Sequence, residues 1–368
     1  MARRNRAGLS GDNVRRGDTA RHVLRKLRQT GRLMRWWVFA FSGLFRPGHP
    51  RLKPPPWTLA EAPSAAEPRT GLRVDVPRPM FYGELVPGSI DELPSAVDIP
   101  EPTVSVADDV VLVTGHLFVD RRSGTVLPQS RGVSIDSRAL AGLATRPPHP
   151  FRQQAQGEVF VVDCHFTDNY GHNLLEALPR LMLLDRVPAG IQIATSIPRS
   201  RTIDSLIGGL GIDPSRVRYY EEPLFCRRAF LPDRLVHLER SLHPLAREAF
   251  TRWRLLGNAS NVERAERIFI SRSRIRRRRL VNEAEIEAIF ERRGFRIVHP
   301  EQLPIEDQIA LFSTAGMIAG LGGSAMHSTV FSPPETKVLL VSSIEWFVKM
   351  DVLISQRAGQ LGYVFGEP

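Results

Sequence analysis

The stretch RIFISRSRIRRRRLVNEAEIEAIFERRGFRIVHPEQLPIEDQIALFSTAGMIAGLGGSAMHSTVF, residues 267–331, decides the fold class of this chain. Apolar runs of strand length alternate in it with patterns of helical spacing. Such alternation predicts a parallel α/β sheet that binds its ligands at the carboxyl ends of the strands. The expected strands are Arg267–Ser271, Arg296–His299, Met317–Leu321 and Lys337–Val341, and the expected helices are Glu283–Arg293, Ile305–Thr314, Ser324–Phe331 and a closing Trp346–Leu361.

A second α/β pattern precedes this stretch. The apolar strand Glu158–Val162 is followed by a helix over Gly171–Asp185, whose leucines recur at helical spacing. Dense prolines between residues 47 and 102 exclude a long helix there. We therefore expect four segments: a basic tail (1–56), a proline-rich linker or edge segment (57–108), a first lobe (109–257) and a second lobe (258–368). The first lobe should also contain strands Ile191–Ile197 and Arg216–Tyr220 and helices Ile203–Leu210 and His243–Leu256.

Positive charge is concentrated at the N-terminus. The 368 residues include 50 Lys and Arg against 39 Asp and Glu. Residues 1–53 alone contain 14 of the basic residues and only two acidic ones, so the rest of the chain is close to neutral. A strongly basic tail on a neutral fold argues against a nucleic-acid-binding domain.

The tail itself leaves two interpretations open. Residues 21–46 combine arginines with Trp36, Trp37, Phe39 and Phe41. The apolar run Leu33–Phe45 is shorter than the about 20 residues that a spanning helix needs. The segment is therefore either a helix that lies on an anionic membrane surface or a basic tail without a specific partner. The first interpretation predicts a cytoplasmic protein, peripheral at the inner face of the plasma membrane.

The chain has only two cysteines, Cys164 and Cys226. Two cysteines give neither a disulfide framework nor the ligand spacing of a zinc site. We expect two reduced, buried thiols of a cytosolic protein.

A glycine-rich loop is the first candidate binding site. Gly322, Gly323 and Ser324 lie between an expected strand and an expected helix, where backbone N–H groups can approach a phosphate. Arg272 follows the strand at Arg267–Ser271, and its planar guanidinium suits phosphate oxygens. A tight turn and a solvated arginine are the alternatives. Glu283 is either a favourable acidic residue in a helix's first turn or a hydrogen-bond acceptor for ribose hydroxyls.

A polar cluster around residues 163–176 is the second candidate site. His172 and Glu176 are four residues apart, which places them on one helical face, and Asp163 follows a strand end. Histidine is suited to general-base catalysis at neutral pH. A capped helix start with one partly buried histidine is the alternative. The cluster lacks the spacing of a metal site, so we expect neither a metal nor a cofactor.

Both sites take part in a family resemblance. The string NYGHNLLEALPRL, residues 169–181, resembles the NYxHWLLExLPRL signature of glycosyltransferase family 61, the capsular-polysaccharide type. The second half matches the family in the same order over about half of the chain, residues 163–342. Its matching motifs are Ser271-Arg272, Asn282-Glu283, Gly294-Phe295, Pro300-Glu301, Gln308 and GLGGSAMHSTVF at 320–331.

The resemblance implies a GT-B fold of two facing Rossmann-like lobes. It further implies an inverting transfer of a sugar, hexose or pentose, from a nucleotide-diphosphate donor to a hydroxyl of a polysaccharide or glycolipid acceptor, without an essential metal. Arg272 and the Gly323–Ser324 loop would hold the diphosphate, and Glu283 would contact ribose or base. His172 would remove the acceptor's proton, with Asp163 or Glu176 orienting its ring.

Three positions depart from the family pattern. Relatives usually have histidine where this chain has Gly322, asparagine where it has Ser328, and tryptophan where it has Asn173. The loss of a histidine at 322 removes one candidate phosphate contact, which His327, one helical turn onward, partly replaces. A second hypothesis therefore stays open: a catalytically inactive binding protein with the same fold, tethered at a membrane.

Overall fold

The computed structural model describes residues 71–84, 86–121, 126–130, 157–238, 240–275, 280–355 and 361–367. The basic tail 1–56, its aromatic segment 21–46 and the arginine run 276–279 lie outside the described residues. Within the described ranges, no helix has the length and apolar character to cross a bilayer. These ranges all belong to one compact unit, made of residues 59–133 and 151–368.

The elements before residue 260 include the first sheet and its helices, two separate strand pairs, and the strand Met80–Tyr82, which joins the second sheet. A helical segment from Tyr170 to Arg186 is labelled α1; it comprises an α-helical turn Tyr170–His172, a π-helical turn Asn173–Ala177 and a 3-10 helix Leu178–Arg186. The strands are β1 Leu72–Asp75, β2 Met80–Tyr82, β3 Ala96–Ile99, β4 Val104–Val113, β5 Leu117–Asp120, β6 Glu158–Val161, β7 Gln192–Thr195, β8 Val217–Tyr219, β9 Leu224–Pro232, β10 Val236–His237 and β11 Ser241–Leu242, and the other helices are α2 Arg201–Gly209 and α3 Pro244–Arg254, with 3-10 helices at Gly88–Glu92, Pro128–Ser130, Pro214–Arg216 and Leu255–Ala259.

The first sheet has the strand order β5-β4-β9-β6-β7-β8. Strands β6 to β9 are parallel, and β4 and β5 extend the sheet in antiparallel fashion. After the exposed Glu158, the inner strand β6 is buried on both faces, as the apolar run VFVV at 159–162 predicts. Strands β1 and β3 form a separate antiparallel pair, as do β10 and β11.

Strand β9 was not expected, because Arg227 and Arg228 interrupt its apolar pattern. In the sheet, Arg228 lies exposed between two neighbouring strands. Its Nε is 2.8 Å from Asp108 Oδ1, and its Nη1 is 3.2 Å from Glu158 Oε1. Cross-strand ion pairs thus accommodate an arginine that a period-two analysis counts against a strand.

The second sheet has the order β13-β12-β14-β15-β16-β2, and its six strands are all parallel. The predictions for the strands and helices between residues 267 and 343 are confirmed, except for the last helix. The elements are β12 Arg267–Ile270, α4 Glu283–Arg292, β13 Arg296–Val298, α5 Ile305–Thr314, β14 Met317–Leu321, β15 Lys337–Ser343, α6 Lys349–Ser355 and β16 Leu361–Gly366, with 3-10 helices at Pro300–Gln302 and Met326–Phe331.

Two expected helices are corrected. The closing helix over Trp346–Leu361 is wrong: the chain forms the short helix α6 and then β16, which pairs with β15 and β2. Tyr363 and Phe365 stack on each other, with ring centroids 5.3 Å apart, and β-pairing buries them. The expected helix Ser324–Phe331 is instead a 3-10 helix over Met326–Phe331. Pro333 and Pro334 follow at once and prevent a longer helix.

The α/β class with parallel sheets is confirmed, and it is compatible with Rossmann-like units. The two-lobe GT-B arrangement and the expected domain boundaries stay predictions. Cys164 and Cys226 are free, buried thiols, as expected. Burial raises the pKa of both, to about 12 for Cys226.

Candidate active site

The motif at residues 169–181, called here the early motif, begins with a capped and irregular helix. Asn169 accepts hydrogen bonds at Oδ1 from the backbone N–H groups of Gly171 (2.9 Å) and His172 (3.4 Å), so it is the N-cap of α1. Pro179 lies in the 3-10 stretch Leu178–Arg186 and has no N–H to donate to a carbonyl one helical turn earlier. The wide π-helical turn Asn173–Ala177 comes directly before this stretch. Such turns are frequent at functional sites.

His172 and Glu176 are in direct contact, as their spacing predicts. His172 Nδ1 lies 2.6 Å from Glu176 Oε2, and Arg234 Nη1 lies 3.7 Å from Glu176 Oε1. Burial alone would raise the pKa of Glu176, but the hydrogen bond to His172 and the charge of Arg234 lower it overall. Because Glu176 is ionised, it accepts a hydrogen bond from the N–H at Nδ1 of His172. The lone pair of the imidazole ring is then on Nε2.

Two arginines surround this pair, the buried Arg180 and the partly exposed Arg234, and the sequence did not single out either of them. Arg180 Nε donates to the Glu176 carbonyl at 3.0 Å, and its Nη1 is 3.3 Å from His116 Nδ1. Burial and the neighbouring Arg234 lower the pKa of Arg180 to about 10. Burial and Arg180 also lower the pKa of His116 well below its usual value. Arg180 lies within the NYGHNLLEALPRL motif, but no sequence signal marks Arg234.

The structure places Asp163 beside a different set of groups. The carboxylate accepts hydrogen bonds from Tyr220 Oη (2.7 Å), Ser196 Oγ (2.8 Å to each oxygen) and the Cys164 N–H (3.1 Å). Burial raises its pKa to about 6, although these hydrogen bonds oppose the shift. Asp163 therefore fixes the end of β6 to its neighbours, and among the described residues its hydrogen-bond partners do not include His172.

The glycine-rich loop lies against Arg272. Gly323 has a φ of +146°, which favours glycine, and a Cβ at this position would stand 2.7 Å from Arg272 Nη1. Both residues follow the carboxyl ends of neighbouring strands, β14 and β12. The pair expected to hold a diphosphate is therefore brought together.

Glu283 supports the same strand end from the first turn of α4. Its Oε1 accepts hydrogen bonds from the Arg272 N–H at 2.6 Å and from Ser271 Oγ at 3.3 Å. The same Ser271 hydroxyl, which has one proton, also lies within hydrogen-bond distance of Glu287 and shares that proton between the two carboxylates. Glu283 is buried, and its Oε2 has no hydrogen-bond partner among the described residues. This carboxylate thus holds the loop that carries Arg272 and keeps one acceptor oxygen unused.

The early motif contacts the late motif, residues 320–331, at three points, although the two are about 150 residues apart in sequence. Ser324 Oγ donates to the N-cap oxygen of Asn169 at 3.1 Å. The hydroxyls of Tyr170 and Ser328 are 3.0 Å apart. A Cβ on Gly171 would stand 2.4 Å from His327 Nδ1, so only glycine fits there without a shift. The residues of the two candidate sites therefore form one continuous cluster at the start of α1.

His327 is enclosed in this contact. Its Nε2 lies 3.7 Å from Asp351 Oδ1 on α6. Burial, together with the charge of His172, lowers the pKa of His327 to about 4, and burial raises that of Asp351 to about 7. Both groups are therefore largely neutral near pH 6. Sequence reasoning missed Asp351, because its helix was expected to be longer and to serve only as a closing element.

Gly322 faces a small space on the other side of the loop. A Cβ here would stand 3.3 Å from Ser342 Oγ and 3.9 Å from Trp346 Cδ1. Ser342 Oγ itself donates to the Trp346 carbonyl at 2.7 Å. The region that a larger side chain at position 322 would occupy is thus bordered by β15 and the turn after it. Across the described part of the chain, no group of three or more His, Cys, Asp or Glu residues is arranged to hold a metal ion.

Comparison with known proteins identifies the family. Residues 170–339 match the family model of Glycosyltransferase 61. The match begins at Tyr170 in the early motif and extends past the glycine-rich loop into β15, so it covers both halves of the cluster. A search of curated proteins found no match. The resemblance in sequence is confirmed: residues 170–339 of this chain match the glycosyltransferase family 61 model, which supports an assignment to that family.

Proposed function

We propose that this protein is an inverting glycosyltransferase that moves a sugar from a nucleotide-diphosphate donor to an acceptor hydroxyl. The observation that carries the proposal is the contact between the early and late motifs. A hydrogen-bonded histidine–glutamate pair and an arginine–glycine loop lie on adjoining elements, joined by Asn169, Gly171 and Ser324. Transfer between a diphosphate leaving group and a hydroxyl needs both kinds of group close together.

The acceptor is activated by His172. Nε2 takes the proton of the acceptor hydroxyl while that oxygen attacks the anomeric carbon from the side opposite the diphosphate. The bond between the anomeric carbon and the diphosphate oxygen breaks, its electron pair stays with the diphosphate, and the configuration inverts. Glu176 holds the tautomer and stabilises the imidazolium that forms, and Arg234 keeps Glu176 ionised.

The donor is held on the second sheet. Arg272 neutralises the charge that develops on the leaving diphosphate, and Gly323 allows the backbone to approach it. Ser324 and His327 complete this side, and the unused Oε2 of Glu283 is the acceptor for ribose or base. The 3-10 helix at Met326–Phe331 is too short to add a helix dipole, so we assign the stabilisation to Arg272.

The finer parts of the proposal concern the acceptor and the location. We propose a polysaccharide or glycolipid acceptor, of the capsular type, and a hexose or pentose as the transferred sugar. The basic aromatic segment 21–46 would hold the enzyme at the cytoplasmic face of an anionic membrane. The neutral charge of the remaining chain argues against a nucleic-acid partner.

Gly322 favours a second candidate function, that of a binding protein that retains the donor site without turnover. At this position the chain has glycine, where relatives usually have histidine. This candidate predicts that nucleotide sugars bind and are released unchanged. Calorimetry with nucleotide sugars, run beside a turnover assay, separates binding from transfer.

The test uses the full-length protein and a panel of UDP-, GDP- and CDP-sugars, with release of the nucleoside diphosphate as the readout. We expect turnover with one class of donor. Arg272→Ala should raise the KM for that donor at least about tenfold, because a charge-assisted contact is lost. Arg252→Ala, at an exposed arginine of α3, is the matched control and should change nothing. Binding without release in the wild type would favour the second candidate, and neither binding nor release would refute both.

A further inference from the structure

The turn between β6 and α1 carries an exposed aromatic ring beside the proposed base. Phe166 is 53% exposed, although most large apolar side chains in the described ranges are buried. Its ring centroid lies 4.7 Å from that of His172 and 4.4 Å from that of His165. Exposed apolar residues are common and usually need no explanation, but this one contacts the imidazole that the proposed reaction depends on.

The turn that presents Phe166 is held in place by hydrogen bonds. The Asn169 N–H donates to the Phe166 carbonyl at 3.0 Å, and Asn173 Nδ2 donates to the Thr167 carbonyl at 2.9 Å. Asn173 is buried and also accepts a hydrogen bond from Cys164 Sγ at 3.2 Å. The ring is therefore exposed on a fixed support, and little ordering would be needed when a ligand binds.

The neighbours of Phe166 are polar. Asp168, two residues on, is exposed, and Thr167 is partly exposed. An exposed apolar ring and an exposed carboxylate on the same turn suit a pyranose ring, which has an apolar face of C–H groups and a rim of hydroxyls. An acyl chain would not make use of the carboxylate.

We propose that Phe166 and Asp168 form the acceptor subsite and that the group bound there is a sugar ring. The inference rests on the proposed function and narrows its acceptor to a carbohydrate end, whether of a polysaccharide or of a glycolipid. A ring stacked on Phe166 at van der Waals distance, about 3.5–4 Å, holds its hydroxyls close to His172 Nε2. Phe166 and Asp168 both lie outside the matched residues 170–339.

Saturation-transfer NMR on the full-length protein tests the subsite, with methyl β-D-glucopyranoside, methyl β-D-galactopyranoside and methyl α-D-mannopyranoside as probes. The wild type should saturate the C–H protons of one ring face of at least one glycoside. Phe166→Ala should weaken that binding at least about fivefold, Phe166→Tyr should retain it, and Asp168→Asn should weaken it. Ile289→Ala, at an exposed apolar residue of α4, is the control.

The same preparations are assayed for release of nucleoside diphosphate from the donor panel, which keeps the two proposals apart. Phe166→Ala should retain donor binding, while transfer of the sugar to the glycoside falls relative to the wild type; Ile289→Ala should change neither. The subsite is refuted if Phe166→Ala binds the glycoside as the wild type does. It is also refuted if a wild type that uses a donor saturates none of the probes. A wild type without donor binding refutes the proposed function, and with it this inference.

Discussion

At the scale of single residues, Gly171 explains why the two motifs can meet. The start of α1 approaches the late loop so closely that a Cβ at this position would overlap His327 Nδ1, at 2.4 Å, and press on Ser324 Cβ, at 3.1 Å. The sequence shows a glycine before His172 but not the need for it. That need arises from a contact between residues about 150 positions apart, which no local pattern reports.

We therefore predict that Gly171→Ala destabilises the fold by about 1–3 kcal/mol, the usual cost of overpacking, and lowers turnover. Thermal unfolding measures the first effect and donor release the second. Gly208→Ala is the matched control, because no atom lies within 4 Å of a Cβ there and Gly208 is within α2; it should be neutral or slightly stabilising. Adding His327→Ala to Gly171→Ala should recover part of the stability. Equal stability of both glycine variants would contradict the close contact.

The role of Glu176 gives a second prediction at this scale. Glu176→Gln offers His172 Nδ1 an amide N–H in place of a carboxylate, which favours the tautomer with the proton on Nε2. We expect kcat to fall about 100-fold or more with unchanged donor affinity, as judged by initial rates and calorimetry. The control is Glu248→Gln. Glu248 is an exposed glutamate that pairs with Arg252, so it too has a partner four residues away on its helix. Full activity of Glu176→Gln would remove the pair from the mechanism.

At the scale of elements, the N-cap residue of α1 also binds the late motif. Asn169 Oδ1 accepts from two backbone N–H groups and from Ser324 Oγ. Ser200, the N-cap of α2, accepts from one backbone N–H. The early motif thus begins a helix and also anchors the late loop, and the second role could not be anticipated from the capping pattern.

We predict that Asn169→Ala costs more stability than Ser200→Ala, which should cost about 1 kcal/mol. The additional loss of stability caused by Asn169→Ala should be smaller in a Ser324→Ala background, because the hydrogen bond between Ser324 and Asn169 is then already absent. Chemical denaturation of the four variants and the wild type measures this coupling. Equal costs, with no coupling to Ser324, would show that Asn169 acts on its own helix alone.

Elements were predicted well where local pattern decides them. Helix α5 and strand β14 have the expected bounds, because their apolar spacing is unambiguous. The chain after Trp346 was misassigned, because its apolar residues satisfy a helical pattern until the edge of β15 offers Leu361–Gly366 a partner strand. Strand β9 was missed for a related reason: Arg228, which breaks its apolar pattern, pairs with carboxylates on both neighbouring strands.

At the scale of the whole molecule, buried carboxyls make stability depend on pH. Burial raises the pKa of Asp163 to about 6 and that of Asp351 to about 7, against about 3.9 in an unfolded chain. A raised folded-state pKa means that the folded protein binds more protons in this range. The stabilisation is complete below about pH 4 and is lost as the pH rises through 6 and 7. The lowered pKa of His327 acts in the opposite direction between pH 4 and 6.5.

The variant Asp351→Asn isolates one of these contributions. Its melting temperature relative to the wild type should rise between pH 5 and pH 8, because the variant has no charge to bury. Asp213→Asn is the control: Asp213 is exposed, and its hydrogen bonds to Ser215 lower its pKa, so its difference from the wild type should stay flat over the same range. A flat difference for Asp351→Asn would show that its carboxyl is not buried.

The site could be predicted in part from the sequence. The contact of His172 with Glu176 follows from helical spacing, and that of Arg272 with Gly323 follows from parallel strand ends. The convergence of the two pairs depends on the packing of α1 against the chain after β14. Arg234 reaches Glu176 from the turn before β10, and Asp351 reaches His327 from α6, so sequence spacing gave no indication of either. Asp163, chosen for its place at a strand end, lies instead among Tyr220, Ser196 and Cys164.

The most direct test of the account is the turnover of His172→Ala, measured by nucleoside diphosphate release with the preferred donor and a carbohydrate acceptor. Calorimetry with the corresponding nucleoside diphosphate is run on the same preparation. We expect a loss in kcat of about 100-fold or more with an unchanged dissociation constant, because the role proposed for His172 concerns the acceptor, while Arg272 and Gly323 are proposed to hold the donor. Turnover equal to that of the wild type would contradict it, since the acceptor's proton would then leave by another group.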